Sequence, residues 1–148
     1  MAEINLEHSD FCVNAEAYIN EQLLKGFASA KLPDVDLRAS KKNMRLALMF
    51  TNIRDAVSAL HNSGEQHIQV KAATEHFNIE TGEMDRFAER HVMIATPKML
   101  IPNWVSPTGK ESPCCEYEVV YYAAYVDGKA IMEVDSRNGT CWFMKNIS

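Results

Sequence analysis

Cys115-Glu-Tyr-Glu-Val-Val-Tyr-Tyr-Ala-Ala-Tyr-Val-Asp-Gly-Lys-Ala-Ile-Met-Glu-Val-Asp-Ser-Arg-Asn-Gly-Thr-Cys-Trp-Phe-Met144 is the stretch on which the reading of this chain turns. Asp127-Gly128 and Asn138-Gly139 are hairpin-turn dipeptides, favoured because the tightest such turns need positive φ at both central residues. They separate three runs rich in β-branched and aromatic residues, which predicts a three-stranded antiparallel meander. In a pleated strand Val119, Tyr121, Ala123 and Tyr125 point one way and Val120, Tyr122, Ala124 and Val126 the other, so neither face reads as solvated. Each face therefore needs a cover. Preceding helices supply one, and more of the chain, a second copy or a partner supplies the other.

Working outward, Ser9 or Asp10 reads as the cap of a helix to about Ser29, with Phe11, Ala15, Tyr18 or Ile19, Gln22 or Leu23 and Phe27 at helical spacing. Residues 30 to 40 contain Pro33 and no sustained period, and read as a connection. Ser40 caps a second helix from Lys41 to Asn62, striped by Met44, Leu46, Met49 or Phe50, Ile53, Val57 and Leu60 and closed by Ser63-Gly64. In the middle, His67 to Lys71 alternates like a short strand, whereas Val70 to Phe77 and Gly82 to His91 fit short helices equally well. Pro97 and Pro102 confine the apolar run from Val92 to an edge or extended segment, and Asn103 to Pro113 reads as a surface loop. The expectation is an α+β fold, N-terminal helices packed on a C-terminal antiparallel β-meander. It forms a single domain over 1–148, helical over about 9–91 and sheet over about 92–148.

With 148 residues and 47% apolar content, the chain is long enough to bury a core without metals or disulfide staples. Its formal net charge is -5, and residues 41 to 63 are the one basic stretch, with four bases against one acid. Such a balance gains little from counterion release on a phosphate backbone, so nucleic acid is not the expected partner. Cys12, Cys114, Cys115 and Cys141 form no disulfide framework, and adjacent cysteines pair only under strain, so free thiols in a reducing compartment are expected. The first residues carry neither a basic leader nor an apolar core of a signal peptide, and no run reaches a membrane span, so the expected location is the cytoplasm. Asn138-Gly-Thr and Asn146-Ile-Ser match the glycosylation triplet, but without a secretory signal the first is better explained by hairpin chemistry.

Four motifs offer chemistry. Residues 70 to 90 resemble a helix-turn-helix unit, since Ala73, Phe77, Ile79, Met84 and Phe87 stand where two helices would pack together. Asn78 replaces the usual turn glycine, however, and Glu80, Glu83, Asp85 and Glu89 on the second helix would be repelled by phosphates. A cysteine-dependent enzyme would need Cys114 or Cys115 activated by one of the five histidines, none of which has nucleophile or zinc spacing. Pro107-Thr-Gly-Lys-Glu-Ser lacks a phosphate loop's first glycine, where Trp104 stands, and its hydroxyl residue, where Glu111 stands. Asp34-Val-Asp36 lacks the glycine and distal Glu of a calcium loop. No catalytic residue, metal site or cofactor is therefore predicted.

The aromatic cluster remains. Tyr117, Tyr121, Tyr122, Tyr125 and Trp142, ringed by Glu118 and Glu133, read either as core or as a protein-binding surface suited to a partner with a basic patch. The leading expectation is a small non-enzymatic cytoplasmic binding protein, a regulator or inhibitor of a larger macromolecular complex. By analogy it is virus- or mobile-element-encoded and acts in the host cytoplasm. A doubly apolar strand also implies a homodimer. The alternatives are a small-ligand or nucleotide-binding protein using Trp104, His67 and His91, a helix-turn-helix-like DNA-binding regulator, and a cysteine-dependent enzyme.

Overall fold

A computed structural model describes residues 10–36, 44–60, 64–110 and 112–144. In chain order the elements are β1 (Asp10–Ile19), β2 (Gln22–Leu23), β3 (Phe27–Lys31), β4 (Met44–Phe50), α1 (Ile53–Ala59), β5 (Gln66–Asn78), β6 (Glu83–Ile101), β7 (Val105–Ser106), β8 (Gly109–Lys110), β9 (Cys114–Val126), β10 (Lys129–Asp135) and β11 (Thr140–Phe143). This almost wholly β architecture overturns the α+β expectation, and with it the helical part over 9–91. The helix expected from residue 9 to 29 is β1, β2 and β3. The one expected over 41–62 is β4 followed by the seven-residue α1; its expected cap Ser40 and closing Ser63, like the first helix's cap Ser9, lie outside the described residues. Residues 70 to 90 are the antiparallel pair β5–β6, so the helix-turn-helix spacing belongs to a hairpin.

The reason lies in a second period that the helical stripe concealed. Met44, Leu46, Leu48 and Phe50 are buried while Arg45 and Met49 are exposed, an alternation of two. Apolar residues stand at six of these seven positions, so a 3.6-residue stripe can be drawn through a strand. Pairing then decides: β4 lies alongside β9, with Leu46 opposite Tyr117 and Leu48 opposite Cys115. In β5 the alternation read from His67 to Lys71 is borne out: Gln66, Ile68 and Val70 are buried, and His67 and Lys71 are exposed.

Nine strands form one sheet in the order β11-β10-β9-β6-β5-β1-β2, with β4 also on β9 and β3 on β4; β7 and β8 form a separate small ribbon. β6 lines one edge of β9 throughout, and the other edge is divided between β4, which takes Cys114 to Val119, and β10, which takes Tyr121 to Val126. Pro97, which lacks a donor, stands just beyond Ala95, the last β6 residue paired with β5. The sheet curls until β1 and β3 approach each other. Its inner face buries a single core in which Ile19, Ile68, Met93, Tyr122 and Val134 are cross-strand neighbours in one row. α1 closes one end, burying Ala56 and Ala59, and the Cys115 thiol donates to the Ala56 carbonyl at 3.5 Å. Among the described residues no helix is long and apolar enough to cross a membrane.

Local chemistry sets the ends of α1. Asn52 caps it, its Oδ1 accepting from Asp55 N at 2.9 Å while its Nδ2 donates to Asp55 Oδ2 at 2.8 Å. Gly26, at φ +71, passes so close that an added Cβ would lie 2.3 Å from Asp55 Oδ2. Gly26→Ala combines left-handed strain with that clash and is expected to cost about 2–4 kcal/mol in urea unfolding. A change below about 0.5 kcal/mol would mean this contact does not exist.

Candidate functional site

The sides taken by the β9 tyrosines depend on one irregularity. Ala95 pairs with Val119 and Ile94 with Tyr121, so Val120 is an extra residue in β9 and the alternation shifts across it. Cys115, Tyr117 and Val119 face the core before the bulge, and Tyr122 and Ala124 face it afterwards. The Val120 carbonyl is taken up by Ser136, from N at 3.0 Å and from Oγ at 3.1 Å. Ser136 thus satisfies the strand where β4 ends and β10 begins.

Of the seven expected protein-binding residues, Tyr117 and Tyr122 are core side chains and so are unavailable for contact. Tyr121, Tyr125, Trp142, Glu118 and Glu133 share the outer face, as their register positions require. One outer row runs Trp142, Glu133, Ala123, Val92, Gln69, Tyr18 across six strands. The next carries Tyr125, Arg90, Lys71 and Glu16. Trp142 is 48% exposed at the edge of the sheet. The Tyr121 hydroxyl donates to Glu133 Oε2, and partial burial, that hydrogen bond and the Glu133 charge together raise its pKa.

Lys71 and Arg90 are cross-strand neighbours of like charge, an arrangement that repels. Each instead lies over a ring, Arg90 4.2 Å from the Tyr125 centroid and Lys71 4.9 Å from that of Tyr18. Such contacts contribute about 0.5–1 kcal/mol at exposed sites and hold the rings in place. Sequence reading missed Tyr18 because it placed it on a helix, and Lys71 and Arg90 because it left their segments open between strand and helix. The alternation of His67 to Lys71 was legible, but that of Glu16 and Tyr18, and the pairing that brings Lys71 beside Arg90, were not.

The expected ligand residues do not converge. His67 lies on the outer face, His91 is buried on the inner face, and Trp104, 73% exposed, lies beyond the end of β6. His91 instead joins a chain of polar groups that runs from the core towards the surface: its Nδ1 is 2.8 Å from the buried Tyr122 Oη and its Nε2 3.0 Å from Oε1 of the partly exposed Glu89. A neutral ring donating from Nε2 to the carboxylate and accepting the Tyr122 proton at Nδ1 satisfies all three groups. Burial, then the Glu89 charge, pushes the Tyr122 hydroxyl up to about 12.

The adjacent thiols of Cys114 and Cys115 are held protonated. Burial and then the neighbouring Cys114 push Cys115 up to about 11, and burial and then Glu116 raise Cys114. Neither sits beside a histidine in any hydrogen bond among the described residues. Nor do those residues gather three His, Cys, Asp or Glu side chains to hold a metal ion. No protein-family model matches the chain, and no curated protein sequence is similar to it.

Two tests follow from the buried tyrosines. The Tyr117 hydroxyl is fully buried without a hydrogen-bond partner among the described residues, whereas Tyr122 serves His91. Tyr117→Phe is therefore expected to hold or raise stability, and Tyr122→Phe to cost about 1–3 kcal/mol by stranding the buried ring nitrogen. Urea unfolding in which Tyr117→Phe is the more damaging would refute this assignment. For pH, Cys115 and Tyr122 keep their protons to higher pH folded than unfolded, so the unfolded chain releases protons first and alkali favours it. Their contribution to stability is constant below pH 9.0 and is lost as pH rises towards about 11 and then about 12. Denaturant midpoints measured from pH 8 upward check the direction.

Proposed function

We propose that this chain is a non-enzymatic binding protein that regulates or inhibits a larger macromolecular complex, and that the outer sheet face is its contact surface. The observation carrying this reading is the set of Trp142, Tyr121, Tyr125 and Tyr18, spread over three adjacent rows on the side of the sheet opposite α1 and the core. Aromatic groups of this kind supply large, stiff contact area, and neighbouring charges select the partner. Glu133 favours basic groups on the partner at the β9–β10 side, Glu118 lies on the β4–β9 side paired with Lys98 at 3.5 Å, and Arg90 and Lys71 favour acidic groups at the β5–β6 side. Four free cysteines support a reducing location such as the cytoplasm.

The decisive experiment compares the intact chain with Trp142→Ala and Tyr125→Ala against a partner isolated on the wild type. Each substitution is expected to weaken binding by about 30-fold, the effect of about 2 kcal/mol at a hot spot, while the chain stays folded and Tyr125→Ala loses only the roughly 0.5–1 kcal/mol of its Arg90 contact. Unchanged affinity in both variants would remove the outer face from the interface. Sedimentation of the chain alone tests a second copy as the occupant: a single species near 16.7 kDa eliminates the homodimer, whereas twice that mass, broken by Tyr121→Glu, places it on this face.

A further inference from the structure

At the end of the fold closed by α1, a cleft of about 670 Å³ opens between the β1–β2 turn, the β2–β3 turn and the first turns of the helix. Its walls are fixed independently. On one side Asn20 and Glu21, at φ 49 and 71, reverse the chain tightly, and Asn20 is tied to His67 of β5 by two bonds. Asn20 N donates to the His67 carbonyl at 2.8 Å, and His67 N donates to Asn20 Oδ1 at 3.0 Å. On the other side the Asn52 cap, Asp55 and Gly26 lock the start of α1 to the β2–β3 turn, and Thr51 N donates to the Gly26 carbonyl at 2.8 Å. A cleft between two such anchored walls is preformed, as ligand sites usually are.

Its lining has a definite chemistry. Ile19, Ala59 and the buried Gln66 form the floor, and Leu23 supplies an apolar wall. Lys25 enters from the β2–β3 turn and Arg54 from the first turn of α1, and no carboxylate lies within ion-pair reach of either among the described residues. The one carboxylate lining the cleft, Asp55, is engaged by the Asn52 amide. Two cations from separate elements, neither ion-paired among the described residues, above an apolar and amide floor, complement an oxyanion attached to a compact organic body. The volume lies within the range of about 300–1,000 Å³ usual for small-molecule sites.

We propose that this cleft binds a small organic oxyanion, its carboxylate or phosphate held between Lys25 and Arg54 and its body seated against Leu23, Ile19 and Ala59. The site is separate from the outer face, so it stands or falls independently of the protein-binding reading. The test titrates AMP and citrate into the full chain, following backbone amide shifts by NMR. At least one probe should bind saturably below about 10 mM, shifting Leu23, Gly26, Asp55 and Gln66. Lys25→Gln and Arg54→Gln should each weaken binding about tenfold, whereas Arg90→Gln, which removes an outer-face cation, should leave it unchanged. Binding of AMP alone assigns the oxyanion as phosphate, and binding of citrate alone as carboxylate. Absence of saturation with both probes, or equal weakening by Arg90→Gln, overturns the proposal.

Discussion

The structure depends on the way β9 shares its two edges. A strand offers hydrogen bonds on both sides along its length, and each buried backbone group must find a partner. β6 runs along one edge of β9 from Cys114 to Val126, broken only at its two irregularities, but no single strand spans the other edge, which passes from β4 to β10. The changeover leaves the Val120 carbonyl to be met from outside the ladder, and Ser136 meets it. From this junction the sheet diverges. One branch runs through β4 and β3 and meets α1, and the other runs through β10 to β11.

The bulge at the same point sorts the aromatic residues. Without it, Val119 and Tyr121 would share a face, and so would Tyr117 and Tyr125. With the extra residue, Tyr117 and Tyr122 enter the core, and Tyr121 and Tyr125 are delivered to the outside. The cost of burying tyrosines is handled unequally. Tyr122 completes a hydrogen-bonded chain with His91 and Glu89, while the fully buried Tyr117 contributes chiefly the apolar area of its ring. The outer face acquires its character from neighbours that pairing alone makes adjacent, as Arg90 over Tyr125 and Lys71 over Tyr18 show.

The hairpins after Val126 and Asp135 were legible because their information is local. Asp127 and Gly128 both take positive φ, at 51 and 81, as the dipeptide implies. The N-terminal half was misread for a reason equally physical. In 44–50 and 10–19 apolar residues are dense enough to satisfy a period of 3.6 as well as one of 2. Such segments take the form that their partners impose.

Composition and local chemistry therefore determined the turns and the β-rich C-terminal run. They also determined the absence of nucleophile or metal-ligand spacing and the set of aromatic and acidic residues from which a contact surface could be drawn. Tertiary structure decided which of those residues face outward, because one unpaired residue in β9 reverses every side chain after it. It also decided that β1, β4 and β5 are strands, since cross-strand burial against β9 and β6 outweighs a helical propensity that amounts to a few tenths of a kcal/mol per residue.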